Sequence, residues 1–332
     1  MSVSMFQLER TTINGAPTQG AHEAPARPGT SRFLSFTTTV PKEFVHRAAV
    51  AEVLLTDWCR ENDTRFVMAG QWPRGHSFFT PVGEGYHDPL IAAETIRQAG
   101  ILLAHAEFGI PLGHHFLVSD LDVAVRLPHF RVGDAPASLD ITVTCPDVKR
   151  RGNSLAGMRV AVEIRREGHV AATGGGSLTC ITPSVYRRLR SRRAGHAGHR
   201  LALMAPMAPQ LVGRMSPTDV VLAPIGEADR WQLRVDTRHP VLFDHPVDHV
   251  PGMLLMEAAR QATAATLERS SFVPLGMASE FKRYVELDEP CLIEARRLPR
   301  TESGDDRVLV TGHQDKNVVF QSTVTASPRH DG

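Results

Sequence analysis

The sequence predicts an α+β fold in which an antiparallel sheet wraps around a central helix, and it predicts that unit twice. Three observations carry this. Two segments without internal proline, "LIAAETIRQAGILLAHAEFG" (90–109) and "MLLMEAARQATAATLERS" (253–270), read as helices that are apolar nearly all round. Both carry the spacing E-x-x-R-Q: Glu94, Arg97 and Gln98 in the first, Glu257, Arg260 and Gln261 in the second. Similar strands follow each helix, "SDLDVAVRL" (119–127) and "SEFKRYVEL" (279–287). The chain is therefore an internal duplication on the scale of a domain, not a short-period solenoid.

In order along the chain, residues 1–30 are rich in Gly, Pro, Ala and Thr and read as an extended arm. "FLSFTTTV" (33–40), "AVAEVLLTDWC" (49–59) and "TRFVMAGQW" (64–72) read as strands, being rich in β-branched and aromatic residues. A Pro/Gly-rich stretch leads to the first helix, which Gly109 and Pro111 close. "HHFLVSDLDVAVRL", "SLDITVTC", "MRVAVEIRREG" and "HVAATGGGSLTCITP" read as four further strands. The glycines of "TGGGS" (173–177) mark a bulge; no Gly-Lys-Ser/Thr follows to make a phosphate loop. The second unit repeats the order. "DVVLAPI" and "RWQLRVD" are strands, "HPVLFDHPVDHVPG" is kinked, the helix follows, and "ASEFKRYVEL", "PCLIEARRL", "RVLVTGHQ" and "NVVFQSTVTA" complete the sheet. The units span 31–183 and 216–329, with a basic linker at 184–215. Pairing their sheets edge to edge would hide exposed strand edges.

Bulk properties narrow the function classes. With 332 residues, 42% hydrophobic and 22% charged, the chain has the profile of a globular protein. Its formal net charge of +1 argues against nucleic acid as a partner. Four cysteines at scattered positions form neither a zinc spacing nor a disulfide framework. No signal-peptide core and no apolar run of membrane-span length is present, so a cytoplasmic protein without a membrane partner is expected. No metal or cofactor is called for.

The buried triplet is the sharpest signal. Glu257, Arg260 and Gln261 share one helix face. One reading is an internal ion pair that only neutralises itself. The other is that this face lines a pocket, where burial raises the Glu pKa for general-base work and Arg offers a planar fork to a phosphate or carboxylate. Recurrence of the triplet in both halves favours the pocket. His245 lies just upstream. A metal alternative would combine it with His239, His249, Asp244 and Asp248, but Pro246 and Pro251 break any helical spacing here. A catalytic or substrate-positioning role for His245 is favoured over a plain surface-loop histidine. The first half has no histidine opposite it, so the second half is expected to hold the working site. Gly252 starts the second helix; it reads either as a routine helix start or as a small residue that leaves room for a ligand oxygen at the positive end. Lys282 and Arg283 sit on a predicted strand, where alternation sends one to each face; they read either as a solvated pair or as placing one cation towards the pocket to meet an anion. The arginines between 187 and 193 read as a solvated linker or as a docking patch for an acidic partner.

"VPKEFVHRAAVAEVLLTDW" (40–58), "QWPRGHSFF" (71–79), "DHVPGMLLMEAARQA" (248–262) and "FKRYVELDEPC" (281–291) resemble the γ-butyrolactone (A-factor) biosynthesis family of actinomycetes, over roughly residues 33–327. The resemblance implies a double hotdog: two tandem hotdog domains, each an antiparallel sheet around a central helix. It implies an acyltransferase that moves a β-ketoacyl group from acyl carrier protein, or a CoA analogue, to dihydroxyacetone phosphate. Condensation to a butenolide phosphate would follow, a precursor of a signalling molecule. Carried over to this chain, Glu257 would be the base and Arg260 would hold phosphate or the ketone oxygen. Glu94, with Arg97, would form a second site or brace the first. Gln98, Gln261, Gly252, Lys282 and Arg283 would contact substrate. The interval from His245 to Glu257 is shorter than in the related dehydratases, which points away from dehydration. The other readings are a dehydratase or thioesterase of acyl thioesters, and a non-catalytic acyl-thioester sensor. Further assembly into a homodimer is left open.

Overall fold

The computed structural model describes residues 34–83, 85–191, 201–269 and 271–327. The expected arm at 1–30 and the arginines at 192, 193 and 200 lie outside these residues. The strands are β1 (Leu55–Arg60), β2 (Arg65–Trp72), β3 (His115–Val125), β4 (Ala137–Arg151), β5 (Ser154–Arg166), β6 (His169–Ile181), β7 (Leu222–Pro224), β8 (Arg230–Leu233), β9 (Pro274–Phe281), β10 (Leu292–Leu298), β11 (Asp306–Gln314) and β12 (Asn317–Ala326). The helices are α1 (Pro89–Ala106), α2 (Pro183–Arg190) and α3 (Gly252–Leu267).

Among the described residues twelve strands form one antiparallel sheet in the order β1-β2-β4-β5-β6-β3-β9-β12-β11-β10-β8-β7. The halves meet edge to edge at β3 and β9, with Asp120 opposite Glu280 and Ala124 opposite Gly276. Each half curls around its own helix, as the all-round apolar pattern requires. From Pro89 to His105 every residue of α1 is buried except Arg97; from Met253 to Leu267 every residue of α3 is buried except Ala265. That contrast between Arg97 and Arg260 later decides where a ligand can enter.

The glycines of β6 act by close approach. A Cβ on Gly174 would stand 2.1 Å from the Asp122 carbonyl oxygen and 2.7 Å from the Ile96 side chain on α1. Only glycine lets β6 lie so near both β3 and the helix.

Three expectations about local structure are corrected. Residues 34–40 form no strand: Val40 N–H donates to Leu55 O, and Pro41 then turns the chain into a short 3₁₀ helix, Lys42–Val45. The β propensity of "FLSFTTTV" finds no ladder to join. Part of the expected linker is helical, because Thr182 caps α2 and Pro183 opens it. Finally, β9 ends at Phe281, so Lys282 and Arg283 follow the strand; both backbone N–H groups turn to one acceptor, Val319 O.

Candidate active site

The two triplets fold into matching buried clusters. Glu257 is fully buried; its Oε1 accepts from Arg214 Nε (2.8 Å) and Arg260 Nη2 (2.7 Å), and its Oε2 from Arg214 Nη2 (2.7 Å) and Arg260 Nε (2.9 Å). Gln261 Nε2 adds a bond to Oε1 at 2.5 Å. Gln261 also receives Val221 N–H and donates to Asp219 O. Glu94 has the same company in the first half: Arg47, Arg97 and Gln98, with Gln98 bonded to Leu54 N–H and Glu52 O. Each cluster also reaches across to the other half. Arg47 Nη1 donates to Val241 O (3.0 Å), and Arg214 Nη1 donates to Phe78 O (2.7 Å).

These clusters correct the expected chemistry of the glutamates. Burial alone would raise both carboxyls, but the Arg214 and Arg260 charges and their hydrogen bonds hold Glu257 at about 2. Arg47 and Arg97 do the same to Glu94, also at about 2. Both are saturated carboxylates, not poised bases. Of the two readings of the triplet, the self-neutralising ion cluster is what the geometry displays, enlarged by a second arginine that the spacing did not reveal.

The cavity lies beside the first cluster. It has a volume of about 580 Å³ and runs between α1 and α3, against the start of β3 and the residues after β9. Arg97, His245, Gly252, Lys282 and Arg283 line it; Glu94, Gln98, Glu257, Arg260 and Gln261 do not. The Arg97 side chain is 19% exposed, whereas that of Arg260 is 1% exposed. A larger depression of about 840 Å³ lies over the strands, lined by Thr142, Thr144, Thr323 and Thr325, with neither helix start nor any histidine lining it. The cavity between the helices is the candidate site because convergent polar groups sit on an apolar wall.

Its polar groups come from both halves. The kinked loop brings His245, whose Nδ1 bonds Asp244 Oδ1 at 2.5 Å; Asp244 Oδ2 accepts Ala48 N–H at 2.8 Å. That arrangement leaves His245 Nε2 as the basic nitrogen. The start of α3 follows the loop. Its N-cap position is Pro251, so no side chain caps it. Gly252 there touches the Phe281 ring, which a Cβ would approach to 3.1 Å. The first half contributes His46 and Arg97. His46 is left-handed (φ 52°) and bonds His105 Nε2 at 2.9 Å. His105 Nδ1 is 2.7 Å from Ile110 O, which only accepts, so the proton order along the chain is fixed and His46 Nδ1 is left bare. Burial, with His105 and Arg97 adding to it, pushes His46 down to about 3, so it is neutral at ordinary pH. Around the mouth, Tyr186 of α2 stacks on His115 (3.6 Å) and bonds Asp248, while Arg190 ties α2 to Asp248 and Glu286. His239, which the metal alternative would need, is spent on Val241 N–H, Leu242 N–H and Asp219.

The equivalent place in the other half is filled. Asp88 caps α1 through Leu90 N–H (3.0 Å) and lies 3.3 Å from Arg214 Nη2. Arg214 packs over the Phe78 ring at 4.3 Å. Gly213 stands where the first half has His46. The cavity therefore draws its loop and helix start from the second unit and its Arg47 and Arg97 from the first.

Residues 29–182 and 197–329 each match the A-factor biosynthesis hotdog domain. The chain belongs to this family. Among its relatives is the 2-oxo-3-(phosphooxy)propyl 3-oxoalkanoate synthase of Streptomyces virginiae, 55% identical over 288 residues, covering 87% of this chain and 97% of that protein. The synthase of the same name from Streptomyces coelicolor is 42% identical over 286 residues, covering 86% of this chain and 91% of that protein. A crystal structure described as an oleoyl thioesterase from Lactobacillus plantarum shares the fold, with a TM-score of 0.51 at 10% identity, covering 79% of this chain and 97% of that one. The family membership bears out the double hotdog, and places one motif copy in each half, as the duplicated triplet implied.

Proposed function

We propose that the protein transfers a 3-oxoacyl group from a thioester, carried by acyl carrier protein or CoA, to the hydroxyl of dihydroxyacetone phosphate in the biosynthesis of a γ-butyrolactone-type signal. The observation that carries the reading is the convergence of an oriented His–Asp pair, an uncapped helix start and four cations (Arg47, Arg97, Lys282 and Arg283) on one largely apolar cavity. Two relatives named as synthases of the corresponding phosphooxypropyl ester support it.

The chemistry follows from the parts. His245 Nε2 takes the proton as the acceptor's hydroxyl oxygen attacks the thioester carbon. Negative charge grows on the carbonyl oxygen, towards the free N–H groups at the start of α3. The tetrahedral intermediate expels the thiolate, which leaves as thiol with the proton from His245. The ester's methylene, flanked by two carbonyls, then attacks the ketone within the same molecule, and loss of water gives the butenolide phosphate. Arg97, Lys282 and Arg283 hold the phosphate. Ile101, Leu121 and Leu255 line the apolar wall against which the acyl chain lies. Glu257, Arg260 and Gln261, with Glu94 and Gln98, act as the framework that fixes these groups rather than as reactants. Arg187 and Arg188 stand exposed on α2 and give an acidic carrier a place to dock.

The test is incubation of the protein with a 3-oxoacyl thioester and dihydroxyacetone phosphate, followed by mass spectrometry. The expected product is the phosphorylated ester or its butenolide. Thiol release that yields only free 3-oxo acid, at a rate independent of the triose phosphate, would refute the reading.

A further inference from the structure

The closed half displays, in protein atoms, an oxygen position that the open half leaves vacant. The two halves correspond residue by residue around their clusters by shared bonds: Glu94 to Glu257, Arg97 to Arg260, Gln98 to Gln261, and Arg47 to Arg214. The N-cap residues correspond as well, Asp88 to Pro251, both with extended backbone. In the closed half Asp88 Oδ1 accepts the Leu90 N–H of α1, and its Oδ2 lies 3.3 Å from Arg214 Nη2 as an ion pair. In the open half the counterpart donors are the first-turn N–H groups of α3 and Arg47 Nη2. Arg47 Nη2 bonds only Glu94 Oε1 (2.7 Å) among the described residues, and the side chain is 7% exposed and lines the cavity. Asp244 approaches Arg47 from the other side, 3.6 Å from Nη1, and does not fill the Nη2 position.

Resting on the transfer reaction above, we infer that Arg47 is a further catalytic residue, whose Nη2 donates to the oxyanion formed on the thioester carbonyl at the position that Asp88 marks in the other half. A single oxygen suits the place better than a phosphate does. Arg47 is deeply enclosed and already shared with Glu94, while Arg283 and Lys282, the latter paired at the surface with Glu280 and Gln321, stand exposed at the rim where a dianion arrives. The guanidinium is held from three sides by Glu94, Val241 O and Asp244, so it is pre-aligned for charge that appears only during the reaction.

Two variants test this, with thiol release from a 3-oxoacyl thioester as the readout. Pro251→Asp places the closed half's own carboxylate in the open half. Expected are a melting temperature at or above that of the parent, from the new helix cap, and a fall in kcat of at least ~100-fold. A folded Pro251→Asp protein with kcat within threefold of the parent overturns the inference. Arg47→Lys keeps the charge and loses the fork, and it decides the matter if the first variant does not fold. Measured well below its own melting temperature, it should lower kcat ~100-fold while binding an unreactive thioether analogue within threefold of the parent. Equal losses in kcat and in thioether affinity would mean that Arg47 only shapes the ground-state site, and overturn the inference. Both readouts apply whether water or the triose phosphate accepts the acyl group, so failure of the transfer reading is separately visible as acceptor-independent thiol release.

Discussion

Replacing Glu257 by Gln separates framework from chemistry. The carboxylate takes five hydrogen bonds from two arginines and Gln261, at 2.5–2.9 Å. A carboxamide keeps one acceptor oxygen and turns an N–H₂ group towards guanidinium donors. Arg214 then keeps Phe78 O and, as counter-charge, the Asp88 carboxylate at 3.3 Å, and Arg260 loses its counter-charge. Removing one partner of a buried ion pair costs about 3–5 kcal/mol. For 332 residues at about 2.1 cal/mol/K each, the unfolding entropy is roughly 0.7 kcal/mol/K, so the melting temperature should drop by roughly 4–7 °C. Because Glu257 does not line the cavity, transfer measured well below that temperature should stay within about threefold of the parent. His245→Asn should do the reverse, leaving the melting temperature unchanged and lowering transfer by about 10²-fold or more. Differential scanning calorimetry and the mass-spectrometric transfer assay read both quantities. A Glu257→Gln protein that melts like the parent and transfers nothing would return Glu257 to the role of base and refute the framework argument.

Two further outcomes follow from the same groups. Glu94 and Glu257 have folded pKa values near 2, below their ordinary value of 4.5, so the stability they contribute is complete above about pH 5 and is lost as pH falls towards 2. His46, held near 3, acts in the same direction from pH 6.5 downward, since only the unfolded chain takes up its proton there; urea midpoints measured from pH 7 to 3 should fall monotonically, and a flat profile would count against these assignments. His46→Gly keeps a backbone that its counterpart Gly213 already adopts at φ 66°, so no backbone strain is added and calorimetry should show only the loss that comes from the imidazole's packing and its bond to His105; an unchanged melting temperature would count against that bond.

The duplicated E-x-x-R-Q helices and the long strands were legible because they depend on local pattern and length. The charge partners were not, because Arg47 and Arg214 lie 47 and 43 residues before the glutamates they serve. A signal did exist: "VHR" (45–47) and "VGR" (212–214) are the same element in the two halves, each closing a short 3₁₀ helix in a left-handed residue. Which half opens to solvent was hidden for a different reason. It turns on single exchanges, Asp88 against Pro251 and His46 against Gly213, whose effect appears only once the halves face each other. The strand assigned to Lys282 and Arg283 failed because alternation holds only while each N–H has its own ladder partner, and here two share Val319 O.

The crossed bonds between the halves give the two clusters unequal duties. Arg47, fixed by Glu94, holds Val241 O at the root of the loop that carries Asp244 and His245. Arg214, fixed by Glu257, holds Phe78 O in the segment that leads to α1, whose N-cap Asp88 lies 3.3 Å from the same guanidinium. The same chemical change should therefore read out differently. Glu94→Gln costs a similar 3–5 kcal/mol by the same argument. It also frees Arg47 from its fork, so the His245 loop loses an anchor and the transfer rate should fall by at least 10-fold even where the protein is fully folded. Glu257→Gln should lower the melting temperature alone. Hydrogen exchange should show the amides of residues 241–250 opening faster in the first variant and unchanged in the second. If the two variants lose activity equally, or if neither changes exchange in that loop, the division into a working half and a bracing half is wrong.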